Sequence, residues 1–257
     1  MSASPVREYQ VDRLKVTLHE DRENLGADAA AKTAAEIRRL LEDQPLVRMI
    51  FAAAPSQNEF LDSLIREEGI DWQRVHAFHM DEYVGLAKDA PQRFGNFLGT
   101  RLFRKLPFGV VHYLDGNAAD PEEECRRYAS LLRDQPVDIT CMGIGENCHI
   151  AFNDPHVADF ADPVLVKLVE LDETSRQQQV HDGCFATLDQ VPRLAITLTI
   201  PALVAAPAVF CMVPAAHKAK AVRHTLVDGI SEEYPSTILR RHGRAELFID
   251  RDSSREL

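Results

Sequence analysis

The 257-residue chain has no run approaching the ~18 apolar residues of a membrane span. Its first thirty residues are charged and hold no apolar core of an export signal, so a cytoplasmic protein is expected. Cysteine is sparse. The five residues (Cys125, Cys141, Cys148, Cys184 and Cys211) are odd in number and scattered, form no CxxC pair, and match no zinc-module spacing. They read as reduced thiols, and no metal is expected. Positive charge is also short. Lys and Arg number 29 against 40 Asp and Glu, a net charge of −11 that excludes a general nucleic-acid surface. It does not exclude a phosphorylated ligand, which local donors and helix N-termini can hold. No repeat, low-complexity tract or Pro/Gly/Ser linker divides the chain, so one domain over 1–257 is expected, with 1–10 and 251–257 as loose termini.

What is present is an alternation of strands and helices. Val11 to His19 alternates apolar and charged residues like an edge strand, and Asp21 to Asp43 is an Ala-rich amphipathic helix stopped near Pro45. Leu46 to Ala54 reads as a buried parallel strand, with a helix over Asn58 to Glu68. Val75 to Met80 is a strand leading into a loop that starts at Asp81-Glu82. Further helices are expected over Phe94–Phe103, Pro121–Asp134, Asp172–Val180 and Ala219–Val227. Strands are expected at Val110–Leu114, Val137–Met142, Val164–Leu171, Arg193–Pro201, Ala208–Pro214 and Ala245–Asp250. The pattern predicts an α/β fold: a Rossmann-like, mostly parallel open sheet flanked by helices on both faces.

In such a sheet, chemistry gathers at the carboxyl ends of the strands. Four strand ends here carry polar groups. Ser56 and Gln57 follow the second predicted strand, in a turn without the glycines of a phosphate loop. Asp81 and Glu82 follow the third. The stretch Gly143-Ile144-Gly145-Glu146-Asn147-Cys148-His149, with Asp154 beyond it, follows the strand ending at Met142, and its glycines allow a sharp turn close to a ligand. Lys218 opens a helix after the strand ending at Pro214 and can clamp an anion. Each group has a bland role when taken singly (an N-cap, a solvated acid, a core histidine, a surface lysine). Their convergence on one rim makes them a site.

At these residues the chain resembles the glucosamine-6-phosphate deaminase/isomerase family, within the wider sugar-phosphate isomerase and 6-phosphogluconolactonase group. The carrying segments are Phe78-His79-Met80-Asp81-Glu82-Tyr83-Val84-Gly85-Leu86, Leu114-Asp115-Gly116-Asn117-Ala118, and Gly143 through Asn153. The resemblance implies conversion of an amino-sugar 6-phosphate to a ketose phosphate plus ammonia. Asp81 would move a proton between C2 and C1, and His149 would assist ring opening. Asn147 and Asp154 would orient the imidazole, while Ser56, Gln57, Glu82, Gly145 and Lys218 would hold substrate. It further implies no cofactor, a small-molecule sugar phosphate as partner, and a homo-oligomer. A base at C2 and a group titrating near neutrality are what the chemistry requires.

The chain departs from the family pattern in three places. Asn147-Cys148-His149 stands where the family has Asp-Gly-His, so the histidine is expected to lose a carboxylate partner. Asp154 replaces a longer Glu, which bears on whether it reaches His149. Ala53-Ala54-Pro55-Ser56-Gln57-Asn58 replaces a Thr/Gly-rich loop, and the phosphate-binding arginine has no clear counterpart near Arg176. A lactonase-like hydrolase, or a sugar-phosphate sensor without turnover, are the alternatives these departures leave open.

Overall fold

A computed structural model describes residues 4–257. The chain enters through a hairpin, β1 (Arg7–Val11) and β2 (Leu14–His19), which turns at Asp12 with φ 51°. The segment expected to be a loose leader is therefore largely the outermost strand, with residues 1–3 outside the described range. The edge-strand reading of Val11–His19 belongs instead to an inner neighbour. Next come α1 (Arg22–Asp43), β3 (Val47–Phe51), α2 (Asn58–Leu64), β4 (Val75–His79) and β5 (Asp81–Tyr83). They are followed by α3 (Phe94–Leu98), β6 (Val110–His112), α4 (Pro121–Asp134), β7 (Ile139–Met142), β8 (Val166–Glu170) and α5 (Glu173–His181). The chain closes with β9 (Leu194–Leu198), α6 (Ile200–Val204), β10 (Ala208–Val213), α7 (Ala219–Val227) and β11 (Ala245–Asp250). The helix expected over Phe94–Phe103 changes to a wider π turn at Gly99–Phe103, where the Arg104 guanidinium packs over Gly99.

Eight strands form the main sheet in the order β1-β2-β11-β10-β7-β3-β4-β6, parallel except for the hairpin. From β3 the chain moves outward through β4 to β6, then returns across β3 to β7 and proceeds the other way through β10 to β11. The loops leaving β3 and β7 therefore part from each other, and a crevice opens between them. Strand β3 is buried along its whole length, as a central parallel strand must be. Met49 and Phe51 face the α1/α2 layer, whereas Ile50 joins the cluster containing Tyr128 and Leu132 of α4.

Three segments depart from the single parallel sheet. β5, β9 and β8 pair antiparallel as a separate three-stranded sheet, with Asp81 opposite Thr197. Asp81 and Glu82 thus sit on a paired strand, not in a solvated loop. The C-terminal segment is likewise folded. Ser253 is fully buried, its N–H donates to Asp250 Oδ1 at 2.7 Å, and the Asp250 carboxylate accepts from the N–H of Ala215 at 3.0 Å.

Helices α1 and α2 pack closely at Gly26, where a Cβ would lie 2.6 Å from the carbonyl carbon of Glu59 and 2.7 Å from the nitrogen of Phe60. Backbone cannot yield there as a side chain would. Gly26→Ala is expected to destabilise the fold by about 1–3 kcal/mol despite the better helix propensity of Ala. Urea unfolding that shows an unchanged or higher midpoint would contradict this packing.

Candidate active site

The crevice between the β3 and β7 loops holds about 480 Å³ of atom-free space, partly open to solvent. It is lined by Ser56 and Gln57 after β3, Asp81 after β4, Gly145 and His149 after β7, and Lys218 after β10. Six of the residues singled out in the sequence thus meet in one pocket. Gln57 is buried, and its Nε2 donates to the Met212 carbonyl at 3.2 Å and to Ser56 Oγ at 3.1 Å. Lys218 is 3% exposed, yet its ammonium has no hydrogen bond or ion pair among the described residues. Burial pulls its pKa down, opposed by the charges of Asp182 and Glu146. An unmatched cation lining a pocket suits an anionic ligand. The loop before it is strained: Ala215 has φ 84° and ψ 150°, a region left almost entirely to glycine, and the Asp250 carboxylate holds it there.

Asn147 and Asp154 stand behind His149, outside the lining. The amide of Asn147 donates through Nδ2 to Asp154 Oδ1 and to Asp172 Oδ2, both at 3.0 Å. With its hydrogens taken by carboxylates, its Oδ1 can only accept, and it lies 2.6 Å from His149 Nδ1. His149 therefore carries its proton on Nδ1 and leaves Nε2 to the pocket. Asp154 Oδ1 also lies 3.1 Å from that Nδ1. The shorter acid does reach the ring, and the carboxylate expected to be lost at position 147 is supplied from position 154. Burial alone would raise the Asp154 pKa, but hydrogen bonds from His149, Asn147 and the Asp172 backbone bring it below the ordinary value.

Asp81 is 7% exposed, and burial, together with the neighbouring Glu82 charge, pushes its pKa well above the ordinary value. Glu82 does not line the pocket. Its carboxylate accepts the backbone N–H groups of Tyr83, Phe94 and Gly95, each at 3.0 Å, so it shapes the next wall and does not contact a ligand there. Burial raises its pKa as well, with those bonds opposing. His79 braces the same strand end. The Leu114 N–H donates to His79 Nε2 at 3.0 Å, so Nδ1 carries the hydrogen that meets the Asp81 carbonyl at 2.8 Å. Full burial lowers its pKa to about 4 and keeps the ring neutral.

Several contributors went unseen in the sequence. Gln178 and Gln179 of α5, with Phe94 and Phe152, complete the lining, and Gln178 Oε1 accepts the Glu146 N–H at 2.8 Å. Asp172 caps α5 by accepting from the Ser175 N–H at 2.6 Å, and its other oxygen holds Asn147. A polar helix with three consecutive glutamines carried no charge signal to mark it. Arg176, beside them, points elsewhere and donates to the carbonyls of Leu188 (2.7 Å) and Val191 (3.0 Å). Among the described residues, Asp154, His156 and Asp172 bring donor atoms within 4.8 Å of one another, as a metal would need. The carboxylate oxygens there are occupied by Asn147 and backbone N–H groups, and His156 Nε2 meets the Glu170 carbonyl at 3.0 Å. Burial pushes the Cys148 thiol up to about 12 and the Cys184 thiol up to about 11, away from the thiolate a nucleophile needs.

A switch-point pocket pairing a buried carboxylate with an oriented imidazole defines an α/β enzyme of proton-transfer type. Residues 20–248 match the family described as glucosamine-6-phosphate isomerases/6-phosphogluconolactonase, and the chain belongs to that family. It is 34% identical over 227 residues to a glucosamine-6-phosphate deaminase of Bacillus cereus strain B4264, covering 88% of this chain and 83% of the relative. Among solved structures, a monomeric glucosamine-6-phosphate deaminase of the NagB superfamily superposes with a TM-score of 0.85 at 30% identity, over 94% of this chain and 99% of the other. The 6-phosphogluconolactonase of Thermotoga maritima shares the fold, with a TM-score of 0.75 at 20% identity over 92% and 99% of the two chains.

Gly145 is the residue that admits the imidazole, since a Cβ there would lie 2.2 Å from His149 Cε1 and 2.3 Å from Nδ1. Gly145→Ala is expected to drive the ring off the Asn147 amide. Ring ¹⁵N shifts should report Nδ1–H for the neutral parent ring and a lost tautomer preference in the variant. Identical spectra would place the ring elsewhere.

Proposed function

We propose that the protein deaminates and isomerises an amino-sugar phosphate, glucosamine 6-phosphate or a close relative, to a ketose phosphate plus ammonia. The observation that carries this reading is the meeting of Asp81 and His149, from different strands, in one pocket. Asp81 is the base that moves the proton between C2 and C1 of the opened sugar. Its buried setting suits a proton carrier, because a raised pKa brings a carboxylate nearer to the carbon acid it must serve. His149 Nε2, the free ring nitrogen, exchanges a proton with the ring oxygen during opening. Asn147 and Asp154 hold that ring by its other nitrogen and act as positioning residues.

Lys218 receives the phosphate, with Ser56 and Gln57 beside it. Arg176 is engaged with backbone carbonyls, so a single buried cation serves the anion. The Asn147 substitution, which favours a sensor without turnover, leaves a carboxylate 3.1 Å from the imidazole and so does not disarm it. The lactonase reading has the shared family description and a likeness in fold at 20% identity, whereas the relatives at 30% and 34% identity are deaminases. The pocket residues invoked here all belong to one chain, and the solved deaminase at 30% identity is monomeric, so this reading does not call on the expected homo-oligomer. A cytoplasmic setting fits the substrate class, and no helix among the described residues is long and apolar enough to cross a membrane.

Asp81 must be ionised to act as base. Because its pKa is raised, the acidic limb of the rate profile should lie well above the ordinary carboxylate value of 3.8, with activity falling as pH drops through it. Asp81→Asn is expected to lower kcat for ammonia release by about 10²–10⁴-fold. The same variant should be more stable than the parent at pH 7. A carboxyl with a raised folded pKa loses its stabilising contribution as pH rises through that value, and Asn does not ionise. The gain should vanish below pH 3.8, where both side chains are neutral. Full activity in Asp81→Asn would remove the base from this assignment. Lys218→Gln should raise KM for the phosphorylated sugar by about tenfold or more while leaving the turnover measured with unphosphorylated glucosamine at high concentration at the parent's level. Equal losses on both substrates would place the phosphate elsewhere.

A further inference from the structure

Successive side chains of β5 point to opposite faces, so Asp81 looks into the catalytic pocket and Glu82 looks away from it. Beyond Glu82 lies a second cleft with about 540 Å³ of atom-free space, part of it open solvent, sharing no lining residue with the first. Its walls carry Lys88, Arg93, Arg104 and Tyr113. A chain with a net charge of −11 gathers three cations here.

Arg93 is the informative one. It is 9% exposed, and its guanidinium makes no hydrogen bond within the described residues. The nearest carboxylate oxygens, on Glu82 and Asp115, are 3.7 and 3.6 Å away, beyond hydrogen-bond reach. Glu82 is already held by three backbone N–H groups and does not need Arg93 as a donor. Both Arg93 contacts are long-range ion pairs, so the five donors of this guanidinium stay open to the cleft that Arg93 lines and are free for a ligand entering it. Arg104 is positioned from the other wall. Its Nη2 donates to Thr100 Oγ1 at 2.6 Å, and its terminal nitrogen would stand 2.7 Å from a Cβ on Gly99, the bare residue over which it packs. Its charge also reaches Tyr113, where it opposes the upward effect of burial on the phenol.

We propose that this cleft is a second anion site, separate from the catalytic pocket, that binds the phosphate group of a small phosphorylated molecule. Two guanidinium groups and an ammonium exceed what the carboxylates of Glu82 and Asp115 neutralise and suit a phosphate, which takes fork-like donors from more than one side. The site adjoins the catalytic machinery through the chain itself. Arg93 precedes Phe94, which lines the catalytic pocket, and Glu82 follows Asp81.

Inorganic phosphate titrated into the full-length Lys218→Gln variant tests this, because that variant lacks the cation of the catalytic pocket. Calorimetry should still detect phosphate binding, with acetate binding more weakly. Adding Lys88→Gln and Arg104→Gln, both at exposed positions whose loss does not threaten the fold, should weaken phosphate by about tenfold or more. Phosphate-induced amide shifts should centre on Gly95 and Asn96. Loss of all binding in Lys218→Gln, or equal phosphate affinity with and without Lys88 and Arg104, would overturn the second site. An acetate affinity equal to that of phosphate would overturn the assignment to a phosphate group.

Discussion

Both hydrogens of the Asn147 amide are claimed by carboxylates, and that constraint orders the whole site. An amide held in this way has one orientation, and its oxygen must then receive the proton of the imidazole 2.6 Å away. The tautomer of His149 follows, and with it the nitrogen left to face a ligand. Asp172, one of the two anchoring acids, is also the N-cap of α5, the helix that closes the pocket with Gln178 and Gln179. The position of the wall and the orientation of the imidazole are thus fixed by one carboxylate. An aspartate at position 147 would face Asp154 and Asp172 at about hydrogen-bond distance with no proton to offer, which is the like-charge arrangement that carboxylates avoid. In this setting an amide is the group that fits, and Asp154 supplies the charge.

The same region carries costs that a purely structural turn would not retain. Asp81 is buried with Glu82 next to it in sequence, and both pKa values are driven up. Ala215 and Cys148 hold positive φ values of 84° and 68° without being glycine, each worth about 1–3 kcal/mol of strain. Both lie within a few residues of a group facing the pocket, Lys218 in one case and His149 in the other. What holds them is tertiary: the Asp250 carboxylate on the Ala215 N–H, and the Ser236 N–H on the Cys148 carbonyl at 2.9 Å. The C-terminal turn through Ser253, which reads as a charged tail, therefore serves the pocket indirectly by fixing Asp250.

Much of this was legible in the residues because parallel strands announce themselves as buried apolar runs and their ends collect polar groups. Leu46–Ala54, Val137–Met142 and Ala208–Pro214 could be read in that way, and the residues after them do meet in the crevice. The antiparallel sheet was not legible, because β5 is three residues long and its pairing with β9 spans more than a hundred positions. Nothing local in Asp81-Glu82-Tyr83 separates a paired strand from a loop. The hairpin at the N-terminus escaped for a related reason: Arg7–Val11 is charged and mostly exposed, so its strand character comes from its partner and not from burial. Asp172 and the glutamines of α5 were missed because their part is set by hydrogen-bond partners far away in sequence.

Cys148 shows how a departure from a family pattern can be absorbed. A glycine at this left-handed position would carry no conformational cost, whereas a cysteine costs about 1–2 kcal/mol. In return its thiol is fully buried and its Sγ lies 3.7 Å from the Ala221 carbonyl. Ala221 belongs to α7, the helix that follows Lys218. Burying a small apolar side chain contributes on the order of 1 kcal/mol, enough to offset most of the strain. A glycine would leave this contact unmade, and the histidine turn would then reach the lysine helix through Ser236, whose N–H holds the carbonyl of residue 148 and whose Oγ meets Thr225 Oγ1 of α7 at 2.6 Å. With the cysteine they touch directly, so the imidazole end and the cationic end of the pocket are held at a fixed separation. Where the ligand has one charged end and one reacting end, that separation is the quantity on which selection between substrates of different length depends.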